Sequence, residues 1–264
     1  MRDSHMPAPV FVFIARSGLA ARALVYFLIA GLLAWSALFS THSEEGVSPG
    51  QAFKWVETQP GGILLLLGIG IGLMMYALWR FEQGVFDLDR AGSDARGYIA
   101  RAGMLSSGLG YGLVGFAAFS VAADRDDGGN GGTTETVARW LLEQPFGALA
   151  LVLVGLCVVA IGGAQGWRAI KGQWKNHIDL SGWAGKTSRI IAFAILGRGM
   201  MIGLVGLFLI ISGMNAQPDD AKGIASLLGW LRWQPYGFWL FLAGALAIGG
   251  YGVYSAVQAA RYRF

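Results

Sequence analysis

Charge is scarce in this chain. Only 14% of its 264 residues are Asp, Glu, Lys or Arg, where an ordinary soluble domain carries about a quarter. A soluble fold could not hide the apolar surface left over. Cysteine is nearly absent as well: Cys157 stands alone inside an apolar run, which excludes an intrachain disulfide and any CxxC motif. The three histidines, His5, His42 and His177, all lie outside the apolar runs, so a haem held by two histidines within the helices is not expected. No Asp or Glu sits deep in such a run, since Glu82 and Asp87 come only at the far end of the second. That argues against a relay of buried acids moving protons. The chain also has no HExxH, no P-loop and no nucleophile elbow. Its composition therefore gives no ground to expect an enzyme, a cofactor or a metal site.

What the chain does have is apolar length. Hydrophobic residues make up 55% and the mean hydropathy is +0.51. Roughly 20 apolar residues at helical rise cross a hydrocarbon core of about 30 Å, and six segments meet that requirement, near residues 17–39, 61–80, 103–122, 146–166, 190–213 and 236–258. Arg16 and Arg22 interrupt the approach to the first, and no small-residue cleavage site follows it, so that helix is expected to be retained rather than removed as a signal peptide. The 41 glycines would be ruinous in a small soluble helical protein but suit membrane helices in close approach.

The chain repeats itself. A Gln-Pro step followed by Gly opens an apolar run at Gln59, Pro60 and Gly62, again at Gln144, Pro145 and Gly147, and again at Gln234, Pro235 and Gly237. The offsets are 85 and 90 positions. They also bring Ile14–Arg16 onto Ile99–Arg101, Tyr26 onto Tyr111, and Trp55 onto Trp140 and Trp230. The expected architecture is thus an all-α integral membrane protein of six transmembrane helices. It is organised as a tail (1–13) and three parallel two-helix repeats (14–89, 99–180 and 186–264) about a pseudo-threefold axis. Of the 20 Lys and Arg, fourteen fall on the side of the termini and of the loops after the second and fourth spans, five on the other side, and Arg198 within the fifth span. The positive-inside rule then places both termini in the cytoplasm of an inner (cytoplasmic) membrane. The basic pI near 9.3 follows from this topology, so nucleic acid is not an expected partner.

Ahead of each Gln-Pro lies a short amphipathic stretch carrying a tryptophan four residues before the Gln: Trp55, Trp140 and Trp230. An indole sits well at lipid headgroup level, so these stretches read as interfacial helices before spans 2, 4 and 6. Ser48, Pro49 and Gln51 predict a capping box with Pro at the first helical position. Proline disfavours the α conformation in the residue before it yet is tolerated in a first turn. Each step is therefore an elbow between a surface helix and a span, its Gln amide either capping exposed helix ends or joining a ring of three at an outer vestibule.

These features together resemble a bacterial membrane family catalogued as domain of unknown function 1206. The likeness rests on the hairpin entrances Ala15–Gly18 and Ala100–Gly103, with Gly197–Gly199 a looser third, on Tyr26–Ile29 and Tyr111–Val114, where the third copy has Ile202 in place of Tyr, and on the Pro-x-Gly steps. The third copy departs at its entrance, where Ala192 stands opposite Arg16 and Arg101. The resemblance implies the fold and brings no activity with it.

Two residue sets remain as candidates for a role. Gly108, Gly112 and Gly115 recur as Gly199, Gly203 and Gly206 at spacings that share one helix face, which predicts helix packing, docking of a partner, or a smooth wall for a permeant or lipid. Arg198 lies within the fifth span and matches Arg22 in the first and Ser107 in the third, while Arg80 matches Gln165 and Ser255. With Arg16 and Arg101 these arginines form either snorkelling anchors or a cationic cup for an anionic lipid headgroup or small anion. Lys171–His177 reads as a juxtamembrane anchor to anionic lipid, and Ala123–Glu135 as an acidic linker whose glycines depart from the EF-hand register. The expected role is a non-enzymatic accessory or lipid-binding scaffold in a larger assembly, its partners being membrane lipids and other integral membrane subunits. The alternative is a passive carrier or channel for a small anion.

Overall fold

The computed structural model describes residues 9–39, 47–88, 92, 94–124, 133–178 and 183–261. His5, His42 and positions 125–132 of the acidic linker lie outside them. Among the described residues ten α-helices follow in order: α1 (Pro9–Phe39), α2 (Pro49–Glu57), α3 (Gly62–Phe86), α4 (Ala95–Ala122), α5 (Thr133–Leu142), α6 (Gly147–Ile170), α7 (Trp183–Lys186), α8 (Ser188–Asn215), α9 (Ile224–Arg232) and α10 (Gly237–Arg261). Six of them, α1, α3, α4, α6, α8 and α10, are long and apolar enough to cross a membrane. The helices outrun the hydropathy windows; α3 continues past Arg80 to Phe86. The backbone hydrogen bonds carry the helix on past Arg80 and Glu82, where the apolar run is interrupted.

The elbows have one geometry, three times over. Gly61, Phe146 and Tyr236 follow the prolines in the left-handed region, with φ of 76°, 61° and 63°. The next residue in each copy, Gly62, Gly147 or Gly237, donates its backbone N–H to the carbonyl of the Gln at 2.9, 2.9 and 2.7 Å. A Cβ on any of these three glycines would overlap a backbone carbonyl oxygen of the preceding helix, that of Val56, Leu141 or Arg232. Glycine is thus required by the closeness of the fold-back. The Gln side chains act locally: Gln59, Gln144 and Gln234 donate Nε2 to the carbonyls of Trp55, Trp140 and Trp230 at 3.3, 3.4 and 3.3 Å. Each amide thereby caps the last turn of its surface helix. At the start of α2, Ser48 N–H donates to Gln51 Oε1 at 2.9 Å, and Gln51 N–H to Ser48 Oγ at 3.2 Å, the reciprocal pair of a capping box.

The surface helices bury one side and expose their tryptophans. Ala52, Phe53 and Val56 of α2, Ala138 of α5, and Leu227 and Leu228 of α9 are fully enclosed, whereas Trp55, Trp140 and Trp230 are exposed.

Two compact units make up the chain, one from residues 1–25, 53–128 and 255–264, the other from 26–52 and 129–254. In the first, α3 packs along α4, with Gly108 against the Ala77 carbonyl and Arg80 Cβ, and Gly115 against the Gly70 carbonyl and Leu73. The start of α1 lies on α3 through Gly18 at Tyr76 and Ala21 at Gly72. In the second unit α6 packs along α8. A Cβ on Gly162 would stand 2.6 Å from both Gly199 O and Gly203 N, and one on Gly206 would stand 2.8 Å from Gly155 O. Gly252 on α10 is covered by the Phe27 ring of α1 in the same unit. In both units, then, the second helix of one repeat packs against the first helix of the next, which is why the compact units cut across the repeats.

Candidate functional site

Deep in the first unit, α1 presents a cation. Arg22 is 3% exposed, and a buried guanidinium is costly unless its donors are met. All three of its nitrogens donate: Nε to Ser255 Oγ at 3.0 Å, Nη1 to the Tyr76 hydroxyl at 2.5 Å, and Nη2 to Gln258 Oε1 at 2.5 Å. Helical spacing sets out the partners. Tyr76, Arg80 and Gln83 follow one another at i, i+4 and i+7 on α3, and Ser255 and Gln258 at i and i+3 on α10, so each set shares a face. Arg80 donates Nε to the same Tyr76 hydroxyl at 2.9 Å and Nη1 to Gln83 Oε1 at 3.0 Å. Tyr76 is fully buried, and its oxygen accepts from two arginines. Aromatic rings line the charge: the Arg22 Cζ stands 4.8 Å from the Tyr76 ring centroid and 5.8 Å from that of Tyr111, within cation–π range. Tyr76 and Tyr111 meet edge to face at 4.8 Å.

A counterpart stands in the second unit. Arg198 on α8 donates Nη1 to Gln165 Oε1 on α6 at 2.8 Å and lies 4.6 Å over the Tyr251 ring of α10. Tyr251 meets Tyr26 edge to face at 5.0 Å. Under the repeat offsets Arg198 matches Arg22, Tyr251 matches Tyr76, and the Tyr26–Tyr251 pair matches Tyr111–Tyr76. The second repeat has Ser107 and Ile161 at the corresponding places and so carries no such arginine and tyrosine.

The other arginines considered from sequence lie elsewhere. Arg101 donates Nε to Gly84 O at 2.7 Å and Nη2 to Val85 O at 2.9 Å, clasping the last turn of α3. Arg16 is exposed on α1. Among the glycines, Gly108, Gly115, Gly199 and Gly206 are held tightly. A Cβ on Gly112 would meet only Ala77 Cβ at 3.7 Å, and one on Gly203 nothing within 4 Å. Sequence reasoning passed over Tyr76, Tyr251, Gln83 and Gln258. A signal for them existed: the combined repeat offset that carries Tyr76 onto Tyr251 also carries Gln83 onto Gln258.

Among the described residues no cluster of His, Cys, Asp and Glu could hold a metal ion. The exterior is apolar over long stretches, with Leu64, Leu78, Phe116, Leu149, Met214 and Leu246 all exposed.

Fold and site together define a multi-pass helical membrane protein built of internal repeats, with arginine–tyrosine contacts between its helices. Three segments of the chain, residues 17–87, 102–172 and 193–262, match the family described as Domain of Unknown Function (DUF1206). The chain belongs to that family, and the three matches are its three repeats. It is also similar to "Uncharacterized protein YxxB" of Bacillus subtilis (strain 168), 27% identical over 245 residues that cover 88% of this chain and 84% of the relative. No solved structure matches.

Proposed function

We propose that this protein is a non-enzymatic scaffold of the inner membrane that binds lipid and docks partner helices, with both termini on the cytoplasmic side. The observation that carries this reading is the state of Arg22: a cation enclosed among helices, each of its nitrogens bonded to a protein side chain. Such an arginine fastens α1 to α3 and α10. A carrier would need its cation to exchange protein partners for the permeant, so the anion-carrier reading has less support. Surface exposure favours the scaffold as well. Large apolar side chains of α4 and α6 stand exposed, Leu109, Leu113 and Phe116 on the one and Leu149, Leu153 and Leu156 on the other, open to lipid or another helix. The exposed tryptophans of the surface helices anchor the molecule at the interface.

Native mass spectrometry and flux assays test this together. The protein extracted in mild detergent is expected to retain anionic phospholipid, and proteoliposomes containing it are expected to show no chloride flux above empty vesicles. Chloride flux that Arg198→Ala abolishes in a folded protein would establish the carrier instead.

A further inference from the structure

After α6 the chain turns sharply. Gly172 takes a left-handed conformation (φ 66°), and Gln173–His177 form one 3₁₀ turn. That turn tucks Trp174 inward, 6% exposed, with its ring edge to face on Tyr254 at 6.3 Å. Tyr254 lies against Tyr251, the ring under Arg198. Trp174 Nε1 is buried and has no acceptor among the described residues. Indole nitrogen only donates, and a buried donor left unmet is costly, so the position calls for an acceptor. Among the described residues, a cation stands beside the ring. Lys175 Nζ stands 5.7 Å from the Trp174 ring centroid, and Lys171 Nζ lies 4.8 Å over Trp167 one turn back.

We propose that Trp174 and Lys175 form a site for a phosphate oxygen, the indole N–H donating to it and the ammonium balancing its charge. A neutral acceptor would satisfy the indole alone, but the adjacent ammonium favours an anionic one, since a hydrogen bond with an ionised partner is roughly twice as strong as a neutral one. Phosphate in this setting comes either from an anionic phospholipid headgroup or from free phosphate. The headgroup source rests on the lipid-binding reading above.

The full chain labelled with ¹⁵N-tryptophan, in a phosphate-free maltoside detergent, tests the site. Trp174→Phe identifies the indole resonance by its loss. Adding phosphatidylglycerol to the micelle is expected to move that resonance downfield, and Lys175→Gln is expected to weaken the response about tenfold in lipid fraction. A shift produced by inorganic phosphate in the lipid-free micelle would assign the site to free phosphate. No shift with either, the donor being met by water alone, overturns the proposal. Native mass spectrometry separates this from the wider reading: if wild type and Trp174→Phe retain the same anionic lipid, the headgroup source is wrong at this site while lipid binding stands.

Discussion

Arg22 and Arg198 occupy equivalent positions, the first buried and the second half-buried. Removing Arg22 strips a hydrogen bond from Tyr76, Ser255 and Gln258 at once, inside a region closed to water. Arg22→Ala is expected to cost about 3 kcal/mol, and Arg198→Ala, which loses the bond to Gln165 at a half-buried place, about 1 kcal/mol. Thermal unfolding in detergent checks the order, and equal losses would mean that Arg22 is not the fastening its geometry suggests. Tyr76→Phe keeps the ring under both guanidinium groups and removes only the oxygen they share. Its cost is expected to fall between the two.

At the scale of elements, the elbow and the helix seam each depend on glycine for a separate reason. At the elbow the reason is backbone overlap: Gly147→Ala drives a methyl into the Leu141 carbonyl, and no rotamer change relieves it. Gly61→Ala finds open space but keeps φ at 76°, a left-handed conformation that costs an L residue about 1–2 kcal/mol. Folding yield and melting temperature should fall far more for Gly147→Ala than for Gly61→Ala. Phe146 and Tyr236 already accept the left-handed conformation at the Gly61 position, and both project their rings outward, where an aromatic suits the interface. Along the seam the reason is close approach. Gly162→Leu would push α6 away from Gly199 and Gly203, while Gly203→Ala points into free space. A disulfide engineered between α6 and α8 should form in the Gly203→Ala background and fail in Gly162→Leu; equal crosslinking in both would show that the seam does not need the small residue.

For the molecule as a whole, the charge pattern makes a prediction about sidedness. With Cys157 replaced by Ser, a single cysteine at Glu143, exposed beside an elbow, should react with a membrane-impermeant maleimide from outside the cell. One at Gln173, exposed beyond α6, should react only after the membrane is opened. The reverse pattern would invert the topology without touching the fold. A further consequence belongs to this scale: the compact units do not follow the repeats, because α3 packs on α4 and α6 on α8. A truncation that ends after the first repeat leaves α3 without α4, and with it a row of glycine-sized gaps and the exposed edge of Tyr76.

Much of this protein could be read from its residues in order, and the parts that could are local. Six spans follow from hydropathy over contiguous runs. The elbows follow from what proline does to the residue before it, and the start of α2 from Ser48 and Gln51 at capping-box spacing. Each of these depends on atoms within a few positions of one another, so the one-dimensional pattern carries them. The partners of Arg22 are another matter: Tyr76 and Gln258 lie 54 and 236 positions away. Which side chains meet there depends on how each helix is rotated and how far it slides along its neighbour. That is settled by the summed packing of whole faces, glycine by glycine. The same holds for Trp174, read from sequence only as part of a surface anchor and placed by the tertiary structure inside, against Tyr254. Local backbone chemistry determined the elements; the register between helices, set by long-range packing, decided which of their polar groups would face one another.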